Sequence, residues 1–275
     1  MFVREKVIKA ILDSGENFMS GEQLSKKLGI SRTAVWKHIN ALREEGYNIE
    51  SVNKKGYRLA EKPDDILSSE NIAYNLPTEF IGKKVIHLDT VGSTNDYAKE
   101  IGNKVSGGTL IISEQQTKGK GRLGRVWKSK SGDGIWMSLI IKPKIEPYKA
   151  PFLTLVAGAS VVKALSNLGV EASIKWPNDI IVHNKKICGI LTELSAEMER
   201  VNYVVIGIGI NIKTIDFPDE IKEKATSLYK EGYKLSRVDI VRQFCIEFEK
   251  LYKGYILDVP TIDDIIICMS KEGKK

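Results

Sequence analysis

"KGKGRLGRVW", residues 118–127, holds four cationic side chains, three glycines and no acid. Gly119, Gly121 and Gly124 give it the spacing G-x-G-x-x-G. A dinucleotide fold built on that spacing needs a strand before it, a helix opening within it and an acid about 20 residues further on. "TLIISEQQ" at 109–116 supplies strand-like residues, but "RVWKSKSGDG" at 125–134 is polar and broken by glycine, so no helix opens there. The phosphate loop G-x-x-x-x-G-K-[ST] is absent as well. What stays is a basic, glycine-rich loop. Glycine lets backbone approach an anion closely. Lys118, Lys120, Arg122 and Arg125 bring positive charge, and Trp127 can cover an apolar part of a ligand. Such a loop repels itself when empty and orders around a bound anion. Taken alone, it reads more readily as a solvated basic loop.

Outward from the loop the texture is α+β. Runs at 84–88, 109–113, 135–141, 173–175, 179–182, 187–194 and 203–210 read as strands, and 94–101, 151–168 and 237–252 as helices. Strands outnumber helices and several are consecutive, which predicts a mixed or antiparallel sheet rather than repeated βαβ units. Three polar clusters accompany the loop. "DTVGSTND" at 89–96 places Ser93, Thr94 and Asn95 where a strand turns into a helix, and a helix start offers N–H groups to a polar ligand. "SIKWPNDII" at 173–181 places Lys175, Asn178 and Asp179 around Pro177, which a plain turn explains as well. "VVIGIGIN" at 204–211 puts Gly207 and Gly209 inside a strand, the mark of close approach by a ligand or another backbone.

Residues 1–63 form a separate pattern. Val7, Ile8, Ile11 and Leu12 repeat at helical spacing and stop at Ser14-Gly15. Ser20 and Gln23 make a capping box, Gly29 ends that helix, and Ser31 begins another whose Val35, Ile39 and Leu42 form one buried stripe. Gly46 closes it. Two helices across so short a turn are a helix-turn-helix. Ser31, Arg32, Thr33, Trp36 and Lys37 lie on the other face, at the end that enters a major groove. "YNIESVNKKGYRLA" at 47–60 reads as two short strands with Lys54 and Lys55 at the tip, a basic wing. Residues 1–63 carry 12 Lys and Arg against 8 Asp and Glu. DNA is the expected partner, with a small protein-interaction module as the alternative. "EKPDD" at 61–65, with Pro63, is the expected boundary.

The bulk numbers narrow the classes. At 275 residues the chain has room for about two domains, and 42% hydrophobic with 28% charged residues is ordinary for a globular chain. The net charge of +7 suits an anionic partner. Cys188, Cys245 and Cys268 are scattered without C-x-x-C, against a disulfide scaffold or zinc site. His38, His87 and His183 sit in separate regions, so neither a metal cluster nor a Ser-His-Asp triad is expected. No apolar run is read as reaching the roughly 20 residues of a membrane helix. The N-terminus lacks a signal-peptide core, so the expected place is the cytoplasm, with no membrane partner.

Taken together, "STN" at 93–95, "QTKGKGRLGRVW" at 116–127, "KWPND" at 175–179, "CGILTE" at 188–193 and "GIGIN" at 207–211 resemble the biotin–protein ligases. With "SGEQLSKKLGISRTAVWKHI" at 20–39 and "GYRL" at 56–59 in front, the chain resembles the bifunctional biotin ligase/biotin operon repressors over roughly residues 1–260. The resemblance implies a winged helix-turn-helix domain at 1–63 and a mixed-sheet, class II synthetase-like biotin/lipoate ligase domain at 64–255. It implies an ATP-dependent ligase that forms biotinyl-5′-AMP with Mg²⁺ and passes biotin to a lysine of biotin carboxyl carrier protein. It further implies a repressor that dimerises on operator DNA when the adenylate is bound.

By the same resemblance, Ser93, Thr94, Asn95 and Gln116 bind the biotin head group, and the backbone of Lys120, Gly121 and Arg122 closes over it. Gly207, Gly209 and Ile210 form the wall, the glycines leaving volume for the ligand. Arg122 grips the adenylate phosphate, where a two-pronged guanidinium fits, and Arg125 lies beside the nucleotide. Lys175 is the main catalytic cation and also contacts biotin. Trp127 stacks on the adenylate or closes the pocket, and Asn178, Asp179 and Asn211 hold nucleotide or Mg²⁺. Lys120 stands where the family has arginine. The family usually continues into a small SH3-like domain, and residues 256–275 are expected to be a short remnant of it that exposes Ile265, Ile266 and Ile267. Two readings compete with ligase plus repressor: a biotin-sensing regulator with weak or lost ligation, and a lipoate-type acyl ligase on the same catalytic fold.

Overall fold

The structure is a computed structural model that describes residues 3–60, 65–198, 200–256 and 268. The chain divides into two compact units, Met1–Tyr74 and Asn75–Lys275. Pro63 and most of the remnant expected at 256–275, including Ile265, Ile266 and Ile267, lie outside the described residues.

The first unit holds α1 (Val3–Asp13), α2 (Gly21–Leu28), α3 (Arg32–Glu44), β1 (Ile49–Val52), β2 (Gly56–Leu59) and α4 (Ser69–Ala73). The capping box is formed: Gln23 N–H donates to Ser20 Oγ at 3.1 Å, and Ser20 N–H to Gln23 Oε1 at 2.7 Å. Gly29 stops α2 in the left-handed region, φ +67°. Ser31 Oγ then accepts from Ala34 N–H to start α3. Val35, Ile39 and Leu42 bury against Ile8, Ile11 and Leu24. β1 and β2 pair antiparallel as the wing. Met19 pairs with Tyr57 as well, an isolated bridge beside the two-stranded wing that sequence pattern could not announce. Helix α4 is another addition, too short for a periodic signature.

The second unit holds β3 (Val85–Val91), α5 (Thr94–Ile101), β4 (Thr109–Gln116), β5 (Gly134–Ile141), α6 (Leu153–Ser166), β6 (Ser173–Lys175), β7 (Asp179–Val182), β8 (Lys185–Glu197), β9 (Arg200–Asn211) and α7 (Arg237–Ile256). The seven strands lie in the order β3-β4-β5-β9-β8-β7-β6. Only β3 and β4 run parallel, so the sheet is mixed as expected. Directly opposed residues share a sheet face. One face carries Ile111, Ile140 and Val205 against Ala98 and Ile101 of α5. The other meets α6, where Thr154 Oγ1 lies 2.8 Å from Thr192 Oγ1 of β8.

Helix α6 is buried almost all round, and a 3-10 turn, Pro147–Phe152, leads into it rather than regular helix from residue 151. Pro151 has no N–H to give a helix interior. The span Pro147–Ser166 is apolar and long enough to cross a membrane, which corrects the sequence reading, although most of it is buried in this unit. Two carboxylate contacts are prominent among those that fasten α7. Arg237 forks onto Glu114 at 2.7 and 3.3 Å. The Glu249 carboxylate accepts the N–H groups of Glu79, Phe80 and Ile81 at 2.6, 2.9 and 3.0 Å.

Candidate functional site

The site lies on the α5 face of the sheet. β9 runs between β5 and β8 with Gly207 opposite Ser138 and Leu191, and Gly209 opposite Trp136 and Gly189. The first turn of α5 comes over Gly207. Ser93 caps that helix, its hydroxyl accepting from Asp96 N–H. Thr94 N–H and Oγ1 both donate to Gln116 Oε1, at 2.8 and 3.0 Å, and Gln116 Nε2 donates to Ser129 Oγ at 2.8 Å. Asn95 is nearly fully buried and uses its whole amide. Nδ2 donates to Leu191 O at 3.2 Å and Glu193 Oε2 at 2.8 Å, and Oδ1 lies 2.6 Å from Ser138 Oγ.

These contacts correct two expectations about the wall. Sequence reading leaves the space beside Gly207 and Gly209 to a ligand; the structure fills it with protein. A Cβ at Gly207 would press on the Asn95 amide, 2.8 Å from Cγ and from Nδ2 with Oδ1 nearer still. A Cβ at Gly209 would lie 2.5 Å from Trp127 Nε1. Ile210, expected in the wall, is fully buried and does not line the cavity. Strand side chains alternate, so Ile210 faces the α6 side when Gly207, Gly209 and Asn211 face α5.

The basic loop is a small hairpin. Lys120 pairs with Val126 and Gln116 with Ser129, and Arg122–Gly124 makes a turn at the tip, where Leu123 takes φ +57°. Gly121 N–H donates to Arg125 O at 2.7 Å within the loop, and Gly121 borders the cavity described below. The Trp127 indole lies over Gly189 and Gly209 and meets Trp136 edge-on at 6.5 Å. Its buried N–H has no partner among the described residues.

Loop, helix start, the β6–β7 turn and the segment after β9 enclose a cavity of about 720 Å³, within the ordinary size of a small-molecule pocket. Ser93, Thr94, Asn95, Gln116, Lys120, Gly121, Arg122, Arg125, Trp127, Lys175, Asn178, Gly207, Gly209 and Asn211 all border it. Seven Lys and Arg side chains line it against two carboxylates, Asp179 and Asp216, so the cavity favours an anion. Lys175 is exposed at the end of β6 and has no ion pair among the described residues. Arg122 Nη1 donates to Asn178 Oδ1 at 2.9 Å, and Asn178 Nδ2 to Ile190 O at 2.9 Å. Asn178 thus braces Arg122 against β8, and Asn211 Nδ2 holds Thr226 O at 3.1 Å.

Several lining residues escaped sequence reading. Lys186 binds Asp179 at 2.6 Å and stands 5.3 Å above the Trp127 ring. Phe217 and Lys224 come from the segment after β9. Ser138 and Glu193 work behind Asn95. Both carried a signal: Ser138 as a lone hydroxyl in the apolar strand "GIWMSLII", and Glu193 as the last residue of "CGILTE". Burial tends to raise the Asp96 carboxyl, but hydrogen bonds and charge from Lys120 and Lys99 outweigh it, and it is held below its ordinary range. Burial pushes the Cys188 thiol up, away from the thiolate a nucleophile needs.

In the first unit, Arg32, Thr33, Trp36 and Lys37 are exposed on one side of α3, Trp36 at 54%. Lys54 and Lys55 are exposed at the wing tip. Ser31 spends its hydroxyl as the helix cap, and Arg32 is paired with Glu22 at 2.6 Å.

The second unit falls in the class that the model "Biotin/lipoate A/B protein ligase family" describes, matched over residues 88–211, and the model "HTH domain" matches residues 3–58. The bifunctional ligase/repressor BirA of Bacillus subtilis is 46% identical over 259 residues, 92% of this chain and 79% of that protein. BirA of Escherichia coli is 38% identical over 83% of this chain and 70% of its own length. The biotin protein ligase from Aquifex aeolicus, solved in complex with biotin and ATP, matches at a TM-score of 0.57 and 35% identity, over 64% of this chain and 73% of that one. The chain belongs to the BirA-type family of bifunctional ligase/repressors.

Proposed function

We propose that residues 64–255 form biotinyl-5′-AMP from biotin and ATP and pass the biotinyl group to a lysine of biotin carboxyl carrier protein. We propose that residues 1–63 bind operator DNA, repressing biotin genes as a homodimer when the adenylate is bound, in the cytoplasm. The observation that carries the ligase reading is the convergence of Lys175 and Arg122 on one cation-lined cavity with the Thr94–Gln116–Ser129 chain.

The chemistry needs no enzyme nucleophile. A biotin carboxylate oxygen attacks the α-phosphorus of ATP, the new P–O bond forms and pyrophosphate leaves. Lys175 and Arg122 neutralise charge that gathers on the phosphoryl oxygens, an electrostatic role that fixed cations perform best. Arg122 exchanges Asn178 for phosphate in this step. The carrier lysine, as neutral amine, then attacks the acyl carbonyl, releases AMP and loses its proton to solvent. Thr94 and Gln116 orient the polar ring of biotin, and Trp127 shields the adenylate from water. The donor set does not cage Mg²⁺: Asp179 is held by Lys186, and Asp216 is the other lining carboxylate. Mg²⁺ asks for six oxygens and keeps several waters, so the ion belongs with the ATP phosphates as part of the substrate.

A carrier domain incubated with the chain, biotin, ATP and Mg²⁺ tests the reading. Biotin on the carrier lysine, dependent on every component, is the expected result. A carrier left unlabelled, with the chain bound to biotin and ATP, overturns it.

A further inference from the structure

The basic hairpin is tied to the body of its unit at few points. Its root is bonded to the turn before α5, Thr117 N–H to Val91 O at 2.9 Å and Lys118 N–H to Gly92 O at 2.7 Å. Among the described residues, the backbone bonds from Gly119 to Val126 stay within the hairpin, and two side chains of that stretch make outward polar bridges. Arg122 reaches Asn178 on one side. Lys120 reaches Asp96 on the other, with Nζ 2.8 Å from Oδ1 and 2.6 Å from Oδ2. Asp96 is itself held: Lys99 Nζ lies 3.0 Å from Asp96 Oδ1 and 2.7 Å from Glu193 Oε1. Glu193 Oε2 takes the Asn95 amide at 2.8 Å. One chain of polar contacts therefore runs from β8 through the first turn of α5 to the hairpin.

We propose that Asp96 is a positioning residue that clamps Lys120 and so holds the hairpin over the cavity, setting how long a ligand stays rather than how fast it reacts. The inference rests on the ligase reading above, because that reading assigns Arg122 to the phosphate. Once Arg122 leaves Asn178 for the ligand, the Lys120–Asp96 pair is, among the described residues, the side-chain bridge that ties the 119–126 stretch to α5, beyond the Gln116–Thr94 bond at the hairpin root. The geometry suits a clamp. Both carboxylate oxygens face one ammonium, and Lys99 and Glu193 fix the carboxylate from behind, so little side-chain freedom is lost on closing. The pair is about half exposed, so its strength is that of a surface ion pair, about two- to fivefold in an equilibrium, and salt screens it.

The test uses the full chain incubated with radiolabelled biotin, ATP and Mg²⁺, so that Arg122 has a phosphate to hold, and chased with excess unlabelled biotin. Asp96→Asn is expected to release biotin about two- to fivefold faster at low salt, to raise KM for biotin in pyrophosphate exchange by a similar factor, and to leave kcat and Tm at wild-type values. Asp96→Glu, which keeps the charge, is expected to restore slow release. Lys120→Gln is expected to speed release similarly, and the double variant Asp96→Asn/Lys120→Gln no further, because both changes remove one contact. At about 1 M salt, where screening reaches within about 3 Å, wild type and Asp96→Asn should converge. Wild-type release from Asp96→Asn, or additive effects in the double variant, overturns the clamp while leaving the ligase reading in place. A wild-type chain that retains no biotin overturns both.

Discussion

Gly207→Ala tests the arrangement of the site most sharply, because the obstacle it meets is protein. The new methyl would press on the Asn95 amide at 2.8 Å and closer. Asn95 cannot swing away freely. It is held by Glu193 and Leu191 O through Nδ2 and by Ser138 through Oδ1, at 2.8, 3.2 and 2.6 Å. A neutral hydrogen bond contributes about 0.5–1.5 kcal/mol and one to a charged group about 1.5–3 kcal/mol. Displacing the amide forfeits the Glu193 bond and at least one neutral bond, about 2–4 kcal/mol. All of these bonds lie within the protein, so the loss is one of folding stability in the second unit. Denaturant melts of the full chain measure it directly. The double-mutant cycle with Asn95→Ala sharpens the reasoning: with the amide gone, Gly207→Ala should cost little more, because both act on one contact. Stability within about 0.5 kcal/mol of wild type in Gly207→Ala would refute the idea that Asn95 is locked above that glycine.

Other expectations follow from the same structure. Lys175→Ala should abolish biotin-dependent pyrophosphate exchange while operator binding persists; wild-type exchange would remove Lys175 from the chemistry. Lys37→Ala should weaken operator binding and flatten its salt dependence, with carrier labelling unaffected, and a labelling loss would contradict the division of work between residues 1–63 and 64–255. Glu249→Gln should destabilise the second unit by about 2–4 kcal/mol, because an amide offers one acceptor where the carboxylate serves three N–H groups. Burial tends to raise the Glu249 carboxyl, but the N–H groups of Ile81, Phe80 and Glu79, with the charge of Lys253, outweigh it and hold it below the usual carboxylate range. Its stabilisation is therefore complete above the unfolded value of about 4.3 and is lost as pH falls through the lower folded value. Denaturant melts should show wild type and variant far apart at pH 7 and converging in acid; a constant gap across pH would contradict the ionised-carboxylate reading.

The elements themselves were largely legible. The Ser20–Gln23 box, Gly29 and the Val35–Ile39–Leu42 stripe are local signals, and each appears where the pattern places it. The sheet strands were found because apolar runs survive even when register is unknown, and the mixed sheet followed from their succession. Register itself was not legible. That Gly207 sits opposite Ser138, and so receives Asn95, depends on two strands distant in sequence. Without that pairing the glycines read as room for a ligand, and Ile210 as their neighbour in the wall. The ion-pair chain Glu193–Lys99–Asp96–Lys120 was invisible for the same reason, since it joins three elements. The cation cluster was legible in part: Lys175 and the loop residues stand in marked motifs, whereas Lys186 and Lys224 look like ordinary surface charge until the fold gathers them.

Biotin-dependent exchange of labelled pyrophosphate into ATP, run on the 275-residue chain with wild type and Lys175→Ala side by side, tests the central claim most directly. Exchange that requires biotin and vanishes in the variant is the predicted result. Absence of exchange from a wild-type chain that binds both biotin and ATP would contradict it, leaving a protein that holds the ligands without joining them.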